Sequence, residues 1–388
     1  MALKNNTWKL NQWYDQSVAG NVSYSGSPEL WGWGWNDKGG LAQNNTTHYS
    51  SPRQIPGTTW STMMVTSPNQ QQEQGAIRTD GTLWVWGDNA NGQLGVNNRT
   101  EYSSPVQVPG STWAAVISIN DAFLATKTDG TLWAWGQNTP GKLGQNNTTS
   151  YSSPVQIGSD TTWSTDPKKL GGAPGSRAFA IKSDGTMWGW GDGNYGRLGL
   201  NDYPASGPRR RSSPTQITTA TNWSHISDGT YGTLALNTDG EIFGWGDNAD
   251  YGTLGLNDLA NRSSPTQIPG TWGWISSAYN SKYAVRSDGT AWAWGNNTYG
   301  QLGVNDKTKY SSPTQIGSDT NWSKFGLNGG YAYIHAIKTD NTLWGWGSGS
   351  YGRLGLGNQN TYSSPVQVPG NWTNVSGSMR CAHAMRSV

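Results

Sequence analysis

The sequence predicts an all-β fold, a seven-bladed β-propeller of four-stranded blades, and three observations carry that prediction. A W-x-W-G phrase recurs with its first aromatic at Trp31, Trp84, Trp133, Trp188, Phe243, Trp292 and Trp344, 49 to 55 residues apart. Self-similarity at such a period marks a repeat architecture. A second phrase, S-S-P, recurs in step with it at Pro52, Pro105, Pro154, Pro214, Pro265, Pro313 and Pro365. Finally, the two ends of the chain carry complementary parts of one unit, so six whole repeats and one shared repeat make seven.

Residues 1–28 stand outside the repeat and read as an N-terminal arm, and residues 29–388 read as the propeller. Each unit opens after S-S-P with a β-type segment and then one tryptophan: Trp60, Trp113, Trp163, Trp223, Trp272, Trp322 or Trp372. Proline at the start of a strand costs little at an edge, where its missing N–H is not needed. A short apolar strand follows, such as Ala180–Ser183, and runs into Asp-Gly. That dipeptide stands at Asp80, Asp129, Asp184, Asp239 and Asp288, with Asp340-Asn341 in the sixth copy. Asp-Gly between two β-prone runs predicts a hairpin through a type I′ turn. In the W-x-W-G strand the two aromatics lie two apart and share one face. The strand is apolar on both faces and must be covered on both. G-x-L-G then closes a further turn. Glu29–Tyr49 begins in mid-phrase and Ser363–Val388 supplies the missing first part, so pairing the two closes the ring and removes exposed edges.

Composition narrows the function. Charged residues make up 13% and the formal net charge is +2, far from the basic balance of a nucleic-acid binder. Twenty of the 24 tryptophans fall at fixed repeat positions, which assigns Trp31, Trp33, Trp84, Trp86, Trp133, Trp135, Trp188, Trp190, Trp245, Trp292, Trp294, Trp344 and Trp346 to a layered core. The single cysteine, Cys381, leaves no intrachain disulfide and no cysteine-based zinc site. The polar N-terminus has no apolar core of a signal peptide and no stretch reaches transmembrane length. A soluble chain is expected, on a particle or in the cytoplasm. No catalytic motif or cofactor site emerges: G-x-S-x-G, H-E-x-x-H and a phosphate-binding glycine loop are missing.

Taken together, D-G-x-L-W-x-W-G, N-x-x-G-x-L-G and S-x-P-x-x-I over Glu29–Val388 resemble the regulator of chromosome condensation repeat family. The Trp- and Asn-rich style also resembles repeat proteins of bacteria and marine tailed phages. Family members commonly carry G-x-x-H-T before the Asp-Gly strand, and in the nuclear exchange factor that face meets the GTPase Ran. The positions that would hold the histidine are Glu73, Ala122, Arg177, Gly232, Ser281, Tyr333 and Cys381, and all seven depart from the pattern. The G-W-R-H-T motifs of the plant ultraviolet-B photoreceptor are also missing.

The segment from the single Trp to the Ala of the next strand varies, running 16, 12, 17, 12, 12, 14 and 12 residues. Variable loops on a fixed frame predict a customised binding rim, at which Glu73, Arg177, Gly232, Ser281, Tyr333 and Cys381 are the candidate contacts. Arg209, Arg210 and Arg211 end a longer loop and are candidates for phosphate or an acidic partner. Trp8, Trp13, Trp35 and Trp274 fall outside the frame and could stack on sugars. The expected function is a non-catalytic structural or binding propeller, an accessory protein of a phage-like particle, with residues 1–27 and one rim meeting a protein partner. The alternatives are an exchange-factor-like regulator of a small GTPase and a carbohydrate-binding lectin.

Overall fold

The computed structural model describes residues 28–57, 59–65, 73–173, 175–202 and 209–386. Residues 1–27, where the N-terminal arm is expected, and residues 66–72 and 203–208 lie outside them. Seven four-stranded antiparallel sheets stand around a common hub. Blades 1 to 6 span residues 60–107, 113–156, 170–216, 223–268, 272–315 and 322–371. Blade 2 shows the plan, with Trp113–Ser118, Ala122–Lys127, Leu132–Gly136 and Tyr151–Gln156 pairing in chain order. Blade 7 joins Asn374–Gly377 and Cys381–Arg386 to Glu29–Gly34 and Tyr49–Gln54. Across that join Leu30 faces Met385 and Trp33 faces Ala382.

The Asp-Gly turn is not the two-residue type I′ turn expected. Gly81 N–H donates to Arg78 O at 2.9 Å and Arg78 N–H to Thr82 O at 2.9 Å, and only Gly81 has positive φ (+76°). This is a type I turn closed by a glycine bulge. Asp80 favours it because its Oδ1 accepts from both the N–H and the hydroxyl of Thr82. Thr82 Oγ1 accepts in turn from Trp84 Nε1 at 2.9 Å. The same relay recurs at Trp133, Trp188, Trp292 and Trp344. Asn341 takes the glycine's place with φ +65°.

The two aromatics of W-x-W-G serve different neighbours. The first is half-buried and meets the single Trp of its own blade edge-on, as Trp272 and Trp292 do at 6.2 Å. A cation two residues before the Asp lies over both rings: Arg286 is 3.9 Å from Trp292 and 5.0 Å from Trp272. Arg78, Lys127, Lys182 and Lys338 repeat this. In blade 4, where Phe243 replaces the tryptophan, the cation is replaced as well, by Asn237.

The second tryptophan is fully buried and ties its blade to the preceding one. Trp346 Nε1 donates to Gln301 O at 2.9 Å, and Trp33, Trp86, Trp190, Trp245 and Trp294 make the corresponding bond. The G-x-L-G glycines exist for this approach: a Cβ on Gly303 would lie 2.5 Å from Trp346 Nε1. The S-S-P strand receives a second tie, since Asn305 N–H of the preceding blade donates to Ser363 O at 2.8 Å.

The first strand of each blade lines the hub, where Ser276 Oγ donates to Gly326 O at 2.6 Å and Ser277 Oγ to Ser227 O at 3.0 Å. The three long Trp-to-Ala segments fill this hub. Blade 1 sends in Val65, which bridges Ile117; blade 3 adds a helical turn at Pro167–Lys169; blade 6 adds Leu327 and Asn328. The length variation therefore builds the axle of the ring as well as its rim.

Candidate functional site

In a four-stranded meander the first and third connections emerge at one end and the second at the other. The first and third connections of all blades thus share one face. Tyrosine is concentrated there. Tyr195, Tyr251, Tyr299 and Tyr351 stand immediately before the G-x-L-G glycine in blades 3 to 6, and Tyr231, Tyr279 and Tyr331 stand in the first connections of blades 4 to 6. Tyr231 lies 6.0 Å from Tyr251 and 6.3 Å from Tyr279, and Tyr279 lies 4.8 Å from Tyr331. The arc ends in blade 7, where Trp35 stacks on Tyr351 at 5.0 Å with an interplanar angle of 11°.

These rings are not core. Tyr195, Tyr299, Tyr331 and Tyr351 are 46%, 42%, 36% and 39% exposed. Tyr195 and Tyr351 hold φ +59° and +62°, a conformation that costs a bulky residue about 1–2 kcal/mol. Basic groups lie among the rings: Arg197 over Tyr195 and Tyr231, Lys309 over Tyr251, Arg380 over Trp35. The sequence carries the signal as Tyr-Gly before x-L-G in four consecutive repeats, apart from the positions that align with the family histidine.

The six predicted rim contacts and the aligned Ala122 come together at one level, but beneath the rim. Glu73 immediately precedes the second strand of its blade, Ala122, Arg177, Gly232, Ser281, Tyr333 and Cys381 start theirs, and all seven are buried. They are not an open contact surface, because several reach sideways to the next blade. Arg177 Nη2 meets Asp228 Oδ1 at 2.6 Å and Gly229 O at 2.5 Å. Tyr333 Oη lies 2.9 Å from Ser378 O and 2.7 Å from Cys381 O. Ser281 Oγ donates within its blade to Asn296 O at 2.7 Å. Burial pushes the Glu73 carboxyl well above the usual range, with Asp121 adding to the rise. Burial lowers the Lys142 ammonium to about 8, against the pull of Asp121 and Glu73. What varies at these positions is how successive blades are latched.

Six segments of the chain, residues 80–119, 129–165, 184–236, 239–278, 288–325 and 340–382, match the Regulator of chromosome condensation (RCC1) repeat and together cover more than half of it. The chain belongs to the RCC1 repeat family. It is 28% identical to the Arabidopsis thaliana ultraviolet-B receptor UVR8 over 197 residues, 50% of this chain and 44% of that protein. It is 32% identical to the Xenopus laevis regulator of chromosome condensation over 127 residues, 31% of this chain and 28% of that protein. The chain thus spans less than half the length of these curated relatives. Among solved structures, Saccharomyces cerevisiae Prp20p superposes with a TM-score of 0.79 at 17% identity, covering 94% of this chain and 93% of that one. Human WBSCR16 superposes with a TM-score of 0.77 at 17% identity, covering 93% and 99%.

The remaining candidates of this RCC1 repeat propeller separate. Arg211 Nη2 pairs with Asp202 at 2.9 Å in blade 3, and Arg210 is exposed beside a cleft of about 420 Å³ lined by Pro140, Ser176 and Asp192. Trp35 joins the tyrosine arc, whereas Trp274 turns to the hub against His225 at 4.9 Å. Trp8 and Trp13 lie outside the described residues. Burial pushes the Cys381 thiol up to about 12 and draws His383 down to about 4, and His383 Nε2 is 3.0 Å from Gly40 O. The two are a buried thiol and a structural imidazole. Among the described residues no group of three His, Cys, Asp or Glu could hold a metal, and no helix is long and apolar enough to cross a membrane.

Proposed function

We propose that this propeller is a recognition scaffold that holds a protein partner on the face carrying the tyrosine arc. One observation carries the reading: exposed and half-buried aromatic rings gather in the loops of blades 3 to 7 on one face, and two of them, Tyr195 and Tyr351, hold positive φ. Tyrosine, tryptophan and arginine are the side chains on which binding energy concentrates, because they bury large area at low entropic cost. The chemistry is multipoint binding with no bond made or broken. A photo-crosslinking residue in place of Tyr331 should capture a defined partner from the native source. The same residue in place of Thr128, in the second connection of blade 2 on the opposite face, should capture none. Equal capture from both faces would refute the reading.

The finer setting is attachment to a larger assembly, such as a phage particle, through residues 1–27. The low charge and the Asn-, Thr- and Gly-rich composition support it, and co-sedimentation lost on removing those residues would test it. Exchange of nucleotide on a small GTPase is the second reading, favoured by the similarity to the Xenopus regulator. Accelerated nucleotide release from a candidate GTPase would establish it. Retention on a glycan array, lost on replacing Trp35 and Tyr331, would instead make the arc a lectin site.

A further inference from the structure

The seam between blades 6 and 7 is charged differently from the earlier ones. The variable position of G-x-L-G is cationic three times, at Lys142, Arg197 and Arg353. Lys142 feels Asp121 and Glu73, and Arg197 Nη2 meets Asp247 Oδ2 at 3.0 Å. Arg353 has no carboxylate partner among the described residues. Its Nε donates to Ser348 O at 2.9 Å, its Nη1 to Met379 O at 3.0 Å and its Nη2 to Ser348 Oγ. Gripping Met379 fixes the next residue, Arg380.

The Arg380 guanidinium lies 3.4 Å from the centre of the Trp35 ring, and Trp35 is itself stacked on Tyr351. Stacking occupies the flat face of a guanidinium and leaves its in-plane N–H fork, the geometry that grips a carboxylate with two bonds. Among the described residues no hydrogen bond or ion pair uses that fork. Arg353 beneath it adds a second positive charge, and the two repel one another. Asp37, two residues beyond Trp35, lies 3.3 Å from His48 Nε2 and makes no ion pair with Arg380 or Arg353 among the described residues. Exposed Tyr351 borders the fork, and the tyrosine arc runs on from it.

We propose that Arg380, laid flat on Trp35 and backed by Arg353, receives a carboxylate from an acidic peptide segment of the partner that covers the tyrosine arc. This rests on the reading that the arc binds a protein. The positive charge left unbalanced at the seam selects an acidic partner, and the stacked platform keeps the fork oriented before contact.

The test is anisotropy of a fluorescein-labelled hexaglutamate peptide with the full chain at about 0.15 M salt, where diffuse surface charge is screened beyond about 8 Å. Hexaglutamate should bind and hexaglutamine should not. Arg380→Gln should weaken binding at least tenfold. Arg380→Lys, which keeps the charge and the fold but loses the fork, should recover only part of it. Arg99→Gln, at an exposed arginine in the third connection of blade 1, outside the arc, should change nothing. Equal binding by wild type and Arg380→Gln overturns the proposal, as does an equal loss in Arg99→Gln. Displacement by inorganic phosphate at concentrations where acetate fails would make this a phosphate site instead. A concentration-dependent doubling of mass abolished by Arg380→Gln would assign the fork to a second copy. An undiminished crosslink at Tyr331 in Arg380→Gln, with unchanged peptide binding, sinks the acidic partner and leaves the arc reading standing. Loss of every crosslink with intact peptide binding sinks the arc reading alone.

Discussion

Arg286 lies between two indole faces, and the one blade with a phenylalanine at the outer position has no cation there at all. The paired loss at Phe243 and Asn237 points to a cation–π contact as the reason for the basic residue. Replacing Arg286 with methionine should cost about 0.5–1 kcal/mol beyond the loss of stem packing, a range set by exposed cation–π pairs. Denaturant melts of Arg286→Met, Trp292→Phe and the double variant would measure the coupling, and strict additivity would remove the contact from the account. The buried imidazoles set a second expectation. Burial draws His335 and His383 down to about 4 and His225 to about 3, so all are neutral in the fold. In the unfolded chain they take up a proton near pH 6.5. Stability should therefore be full above that value and fall as the pH drops from about 6.5 to about 4, on the order of 1–3 kcal/mol per histidine. Glu73 acts in the opposite sense, since its raised carboxyl favours folding as it becomes protonated. A thermal melt series from pH 7 to 4 checks the sign. Melting that does not change across this range would contradict neutral buried imidazoles.

At the level of the element, the glycine turns carry the joint between blades. Gly303 (φ +76°) meets Trp346 of the next blade, whereas Gly158 (φ +61°) has nothing within 4 Å of where a Cβ would stand. Gly158→Ala should cost about 1–2 kcal/mol from backbone conformation alone. Gly303→Ala should cost about 1–3 kcal/mol more, as overpacking does, and should shift the emission of the displaced indole. Equal costs would mean that the contact is not tight. The G-x-L-G phrase shows how far the sequence could be read. Its glycines announced a turn, but that the turn exists to admit a tryptophan some 40 residues further on is a tertiary fact that no local pattern encodes. The same holds for Val65 and Leu327. Extra residues between Trp and Ala looked like rim, and only the closed ring shows that some of them fall inward. Arg177 and Tyr333 stand where the family motif has histidine, but their burial depends on neighbours about 50 residues away. The tyrosine arc was legible in principle, because four of its members precede the same glycine. Its continuity was not, since three others lie in connections of different length.

For the whole molecule, the decisive joint is the shared blade. Trp33 Nε1 donates to Arg353 O, Leu30 pairs with Met385, and His383 Nε2 meets Gly40 O. Removing Cys381–Arg386 would leave Glu29–Gly34 without its inner partner and Asn374–Gly377 without any. The truncated chain should lose the single cooperative melt of the ring and expose apolar surface that binds a hydrophobic dye. A melt that matched wild type would show that six blades suffice. The arc crosses this joint at Tyr351, Trp35 and Arg380, so the truncation should also abolish partner capture.

The joint has a consequence for the birth of the protein. Gly40 and His383 are 343 residues apart, so the strand that leaves the ribosome first waits for the one that leaves last. At 5–20 residues per second that wait is roughly 20–70 s. During it the blades are completed one after another, and until Cys381–Arg386 arrives they form an open arc with a bare edge at each end. A trigger-type chaperone that shields β-edges during translation should therefore raise the yield of closed rings more than it raises the yield of any one blade.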